Sequence, residues 1–211
     1  GTHGQVAFEG NMYGFGDIII YPDAGHLFDG SGEVSLSQSN LHFQNNAHMS
    51  LNARMNLDHV YILGTGQGNQ ITASNRIHWN KGTLHNCNVL ANEGSIASAQ
   101  CHQVHSYDSE LDFDSTGVRL NECTFTDSYV RMHAVAPNSS IKHCEFIGGK
   151  SALPQIEIHS YGESFRLEDN EFKDHPLGIY SEGTELKASC NVWSGLDIAL
   201  DLANASLLNA S

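Results

Sequence analysis

Positive charge is scarce in this chain. Lys and Arg together number 10 among 211 residues, against 24 Asp and Glu, for a formal net charge of -14. Such a surface repels polyanions, and no basic cluster with interleaved aromatics occurs, so nucleic acid is not expected as a partner. The same field disfavours an acidic polysaccharide unless a cation bridges the two. Proline occurs only 4 times, and helical spacing of apolar residues is nearly absent, which argues against a helical protein. No apolar run approaches the roughly 18 residues of a membrane span, so membrane insertion is not expected. The segment Gly1 to Val6 does not resemble a signal peptide; a secreted form would have lost its signal or carried it on a longer precursor. The 5 cysteines, Cys87, Cys101, Cys123, Cys144 and Cys190, form no CxxC pair. A zinc or thioredoxin-like motif is therefore missing, and an odd count cannot be fully paired within one chain.

In place of charge the sequence offers Asn, Ser, Thr, Gly, Gln and 13 His. Polar uncharged surfaces of this kind suit extracellular β proteins, whereas helical proteins favour Glu, Lys and Arg. The expected location is extracellular or at the cell surface.

A degenerate repeat runs through the second half. It is read in Leu84-His-Asn-Cys87-Asn-Val89, Leu120-Asn-Glu-Cys123-Thr-Phe125, Ile141-Lys-His-Cys144-Glu-Phe146, Leu167-Glu-Asp-Asn170-Glu-Phe172 and a shortened Ala188-Ser-Cys190-Asn-Val192. Side chains of a flat strand alternate with period two, so Leu120 and Cys123 share a side only if Asn121-Glu122 bends the strand. The anchors Cys87, Cys123, Cys144, Asn170 and Cys190 are 36, 21, 26 and 20 residues apart. Spacings of 20 to 26 suit one coil of a β-solenoid, in which each coil buries its inner side against its neighbours. The long gap implies an insertion or an additional irregular coil around Cys101 to Asp114. At least five coils are expected, with the anchors in one inward column and at least three cysteines acting as small apolar residues. A second strand is expected to carry Met132, either Ile156 or Ile158, Ile179 and Ile198 inward. The segment before Lys81 repeats less regularly, with strand-like alternation in Asp17 to Tyr21, Val34 to Leu36, Leu41 to Phe43, Met49 to Leu51, Val60 to Ile62 and Ile71 to Ala73. Such spacing also suits a β-sandwich, but no Pro/Ser-rich linker divides the chain. The reading is one all-β domain over 1-211, with clear repeats over 81-195 and less regular coils over 1-80.

The segments Val118-Arg-Leu-Asn-Glu-Cys-Thr-Phe125, Ser140-Ile-Lys-His-Cys-Glu-Phe146 and Phe165-Arg-Leu-Glu-Asp-Asn-Glu-Phe172 resemble the repeat of the right-handed parallel β-helix (pectate-lyase-like) superfamily. The early segments resemble β-helical regions of secreted surface proteins of Bacteroidetes. The resemblance implies a right-handed parallel β-helix. It implies little about chemistry, because the matching residues are structural. In that superfamily inward Asn side chains often form ladders between coils, which implies a structural role for Asn170.

Several residues are candidates for chemistry. In Glu110-Leu-Asp112-Phe-Asp114 the two apolar residues are expected inward. Glu110, Asp112 and Asp114 then share an outer face at steps of about 6.7 Å, a row that could offer oxygen ligands to Ca2+. The resemblance also implies that a lyase would need an Arg or Lys base, for which Arg119, Arg131 and Arg166 are candidates. A glycosidase of the superfamily would need an ordered acidic set. Gly25-His26 and Glu168-Asp169 are present, but the full set is not. His133 and His159 are expected to stack on adjacent coils, with Tyr180 next in line. No convergence of groups on one substrate atom is visible. The leading expectation is therefore a non-catalytic structural or adhesive β-solenoid, a segment of a longer surface protein or a filament subunit. It would self-associate through its coil ends or join the rest of a precursor, and polysaccharide is a further expected partner. The tail Leu196 to Ser211 alternates like one more strand and carries no Lys, Arg or Pro to blunt an edge. The alternative is a polysaccharide lyase or glycoside hydrolase.

Overall fold

Short strands alternating inward and outward, joined by tight bends, stack in this chain as a parallel β-helix of about eight turns. The computed structural model describes residues 12–21, 33–51, 54–91, 98–114, 117–133, 139–150, 152–159, 164–204 and 206–208. The coil containing Cys123 shows the logic. Gly117–Asn121 forms a first face, Thr124–Thr126 a second, and Tyr129–His133 a third. The bends between them sit at Glu122 and Asp127, whose φ angles are +54° and +48°. A left-handed residue reverses the alternation. It brings Leu120, Cys123 and Phe125 to the inside, then Ser128, Val130 and Met132.

Both bends recur from coil to coil. The first carries Gln38, His59, Lys81, Gln103, Glu122, His143, Asp169 and Cys190 at positive φ. The second carries Asn46, Asn86, Asp108, Asp127 and Asp174, residue types that tolerate the left-handed region better. Among the described residues all strand pairs are parallel, and they assemble into a 14-stranded sheet over the first two faces and an 8-stranded sheet on the third. Coil length varies along the stack: Val118 aligns with Ala99 across a short coil, and Leu167 with Ile141 across a longer one. In the longer coil Lys150 and residues 152–154 widen the second corner, where His175 from the next coil donates from Nε2 to the Lys150 carbonyl and accepts the Leu177 amide at Nδ1, both at 3.3 Å.

The core lies along the axis as stacked columns. Phe125, Phe146, Phe172 and Trp193 stack nearly parallel with centroid separations of 4.7, 4.9 and 4.4 Å, close to the coil rise of about 4.8 Å. Trp79 fits inside because Gly82 stands beside it. A Cβ at Gly82 would lie 2.0 Å from the Val60 carbonyl oxygen and 2.6 Å from Trp79 Nε1. The inner column at the first bend is partly polar. The Cys144 amide donates to Asn170 Oδ1 at 2.9 Å, and Asn170 Nδ2 donates to the Ile141 carbonyl at 3.0 Å. The Asn170 amide donates to Asn191 Oδ1 at 3.0 Å, and Asn191 Nδ2 donates to the Leu167 carbonyl at 2.9 Å. Asn170 is thus one rung of an amide ladder that satisfies backbone groups no water reaches.

The expected anchor column needs two corrections. Cys123, Cys144 and Asn170 do share it, on successive coils. Cys87 does not, because Leu84 aligns with Ser106 and Phe125, which puts Cys87 at the second bend beside Ser109. The two corners share one local pattern, an inward residue, two bend residues and a small inward residue, so a motif from one is mistaken for the other. The segment from Cys101 to Asp114 is accordingly a regular coil, made of Ser98–Tyr107 and Glu110–Asp114. Cys190 is exposed and occupies the left-handed bend itself, and Asn191 takes the anchor place. The fifth repeat is therefore full length, Ala188-Ser-Cys-Asn191-Val-Trp193.

The third face resolves the remaining register. Ile158 stacks on Met132, and Ile156 stacks between Val130 and Ile179. Ile198 is not inward; it pairs with Leu177 and is 50% exposed, and Leu200 takes its expected place beside Ile179. The irregular first half follows the same plan. Val34 to Leu36 and Leu41 to Phe43 belong to one bent strand, Glu33–Phe43, paired residue for residue with Arg54–Gly64.

Candidate functional site

The acidic row read from the sequence stands on the third face. Parallel register brings Asp112, Arg131, Glu157, Tyr180 and Asp201 into one outward column. Asp114, His133, His159 and Glu182 form the next. Outward residues on successive coils are about 4.8 Å apart, so each charge meets one from the adjacent coil. Asp112 is 3% exposed and ion-paired with Arg131. The pair is one-armed, since Asp112 Oδ1 and Arg131 Nε have no hydrogen-bond partner among the described residues. Tyr129 donates its hydroxyl to Glu157. His159 faces Glu157 through Nε2 and Glu182 through Nδ1, the latter at 3.1 Å. His133 stacks on His159 with centroids 4.7 Å apart and planes 3° apart. Tyr180 does not continue that column: it stands in line with Glu157 and meets the His159 ring obliquely, at 5.6 Å and 54°.

The electrostatics follow from these partners. Burial, then the neighbouring Glu157, holds the Tyr129 phenol well above its usual range. Burial acts most strongly on Glu157 and would raise it, but hydrogen bonds from Tyr129 and His159 outweigh that and leave its carboxyl below the ordinary value. The Asp112 carboxylate pushes the Arg131 guanidinium further up. Of the proposed calcium ligands, Glu110 and Asp114 flank Asp112 on the same strand and are half-buried, while Asp112 is committed to Arg131. Among the described residues no three His, Cys, Asp or Glu side chains are grouped to share one ion. Arg119 and Arg166 lie elsewhere, on the first face, and Glu168 and Asp169 sit at its edge and bend. Gly25-His26 lies outside the described residues.

A second feature, on the first face, was not read from the sequence. Tyr13, Ser35, Asn56 and His78 stand in one outward column, and Ser37, Asp58 and Asn80 in the next. Together with Phe15 they rim a cleft of about 590 Å³, floored by the strand backbone at Leu36 and Leu57, whose side chains point into the core. The strand Met12–Ile20 shifts register between Gly14 and Gly16, so that Phe15 alone opposes Ser37 and Gln38. The additional residue is Gln38 of the partner strand, the bend residue of its coil, and Phe15 faces outward by the same alternation as Tyr13. Here Phe15 is 87% and Tyr13 71% exposed. The polar rim is pre-oriented: Asn56 Nδ2 and Ser35 Oγ donate to Glu33 at 2.8 and 2.6 Å, and Asn80 Nδ2 donates to Asp58 at 2.7 Å. Ser35 and Asn56 hold the Glu33 carboxyl below its ordinary value, and Asn80 does the same for Asp58. The alternation of Tyr13 and Phe15 along one strand was the available signal. Its meaning depended on the coils that supply the floor and rim. No protein-family model, curated protein or solved structure matches the chain.

Proposed function

We propose that this chain is a non-catalytic, extracellular structural and adhesive β-solenoid that holds polysaccharide on its first face, as a segment of a longer cell-surface protein or as a filament subunit. The carrying observation is the pair Tyr13 and Phe15, whose exposed rings supply the apolar wall of a cleft with a floor of strand backbone and a rim of hydroxyl, amide, imidazole and carboxylate. Exposed aromatics mark interaction surfaces, and a concave apolar site with a few fixed polar groups is the usual form of a small-ligand site. Aromatic faces take up the C–H face of a sugar ring, and Asn, Ser and Asp meet its hydroxyls. The repeat's resemblance to secreted parallel β-helix proteins supports the extracellular setting.

Affinity measurements against a panel of soluble glycans test this. The chain binds at least one of them, and the combined Tyr13→Ala and Phe15→Ala variant binds about tenfold more weakly or worse. Absence of binding to every glycan rejects the reading.

A second reading, a polysaccharide lyase or glycoside hydrolase, is favoured by the Asp112–Arg131 pair beside Glu157 and Tyr129. In that case Glu110, Asp112 and Asp114 are the candidate Ca2+ ligands, and Asp112 serves as one only after leaving Arg131. The expected result is no release of reducing or unsaturated sugar from pectin, alginate or neutral plant glycans, with or without Ca2+. Release above a heat-killed control, lost in Asp112→Ala or Asp114→Ala, establishes the enzyme instead.

A further inference from the structure

The outward column that begins at Tyr13 continues along the first face through Gln100, Arg119, Ser140, Arg166 and Lys187. Lys142 stands two positions beyond Ser140 on the same coil. Four of the 10 Lys and Arg of a chain with net charge -14 therefore gather on one patch of one face. Arg119, Ser140, Lys142 and Arg166 line a shallow concavity of about 360 Å³.

The partners of these four differ. Lys142 is ion-paired with Glu168, and Lys187 lies 3.9 Å from Glu185. The exposed guanidinium groups of Arg119 and Arg166, and the Ser140 hydroxyl between them, have no hydrogen-bond or ion-pair partner among the described residues. Arg119 and Arg166 are two coil steps apart, roughly 10 Å between their backbones. Two arginine side chains can lean toward each other across that distance and meet above Ser140. The donors then converge from three directions, two planar forks and one hydroxyl.

We propose that Arg119, Ser140 and Arg166 form a binding site for a tetrahedral oxyanion, the sulfate or phosphate ester of a substituted polysaccharide. A carboxylate presents two oxygens in a plane and suits a single guanidinium. A tetrahedral ester presents three, which matches two forks and a hydroxyl. The inference rests on the polysaccharide reading of the same face. Gln100 is the only step between the column's cleft residue His78 and Arg119, so one chain lying along the solenoid axis reaches both places. The net charge keeps densely charged polymers away, so the ligand is sparsely substituted.

Inorganic sulfate and inorganic phosphate, titrated calorimetrically at constant ionic strength, test the site apart from any glycan. Wild-type protein shows saturable binding of at least one of them. Arg119→Gln and Arg166→Gln each weaken it about tenfold, the worth of one charge-assisted contact. Both residues are exposed, so an unchanged melting temperature accompanies the loss. Absence of saturable binding of either anion, or binding unchanged in the double variant, overturns the proposal. A lightly sulfated galactan, a phosphorylated one and the unsubstituted polymer then separate the two esters. The expected outcome is tighter binding of one ester form, with that preference removed in the double variant. Equal binding of all three overturns the ester site while leaving the polysaccharide reading intact. Binding of the inorganic ion without any galactan supports the site and counts against the polysaccharide.

Discussion

Four cysteines act as small inward spacers. Cys87, Cys101, Cys123 and Cys144 are buried, and all five thiols are free. The Cys123 amide donates to Cys144 Sγ at 3.4 Å, a contact between sulfur and backbone rather than a bond between sulfurs. Burial pushes the Cys87 thiol up to about 12 and raises those of Cys101 and Cys144, so none of these three is poised as a nucleophile. Cys190 differs because it is an exposed bend residue at φ +54°. An alkylating reagent is expected to label Cys190 alone in the native protein and all five thiols after denaturation without reductant. Masking of Cys123 or Cys144 under the denaturing conditions contradicts this. The left-handed conformation costs an ordinary side chain on the order of 1 kcal/mol, and asparagine less. The alternation of Leu120, Cys123 and Phe125 around that bend was legible in the sequence, because small and large apolar residues recur around polar pairs. Which corner of the coil a given pair occupied was not legible, as Cys87 shows.

On the third face, strand neighbours decide what the acidic residues can do. Asp112 looked like one member of an open carboxylate row. A row along one strand says nothing of the residue on the next coil, and there Arg131 faces it. Removing the partner of a buried carboxylate leaves an uncompensated charge. Arg131 is about a third exposed, which screens the pair, so Arg131→Met is expected to destabilise the fold by about 1 to 2 kcal/mol in urea denaturation. Combining it with Asp112→Leu recovers most of that loss. A single variant as stable as wild type means that Asp112 is not held by Arg131. Glu157 supplies a pH dependence on the same face. Its folded-state carboxyl sits below the ordinary value of 4.5. Its stabilising contribution is therefore complete above that value and is lost as pH falls through the folded one. Melting temperature followed from about pH 7 to about pH 3 should drop in this acid range, and less so in Glu157→Gln. An identical profile in the variant places the acid sensitivity elsewhere.

For the molecule as a whole, stability is close to a sum of coil-on-coil interfaces. The outermost described strands at the C-terminal end are Ile198–Ala203, paired with Leu177–Glu182, and Ser206–Leu208, paired with Glu185–Ser189. Residues 206–208 thus continue the coiling and do not fold back over the last turn. Val192 and Ile198 are 55% and 50% exposed there, and open parallel edges template further pairing. The isolated chain is expected to associate end to end as concentration rises, seen by light scattering. Ile198→Lys, which places a charge on the edge, should weaken it. A strict monomer at high concentration, for wild type and variant alike, argues against association through this end.

The sequence by itself determined the solenoid. A bent strand with inward side chains on both sides of its bend has no packing solution except stacking on its own copies, and the steps from Cys123 to Cys144 and from Cys144 to Asn170 set the coil length. It also determined that His133 and His159 stack, since residues in register on adjacent parallel coils must meet. Only the tertiary structure decided which residues from different coils share an outer face, because side-chain partners there are a whole coil away along the chain and depend on each coil's own length. For that reason Asp112 met a guanidinium, Tyr13 and Phe15 acquired a floor, and Arg119 and Arg166 came to flank one serine.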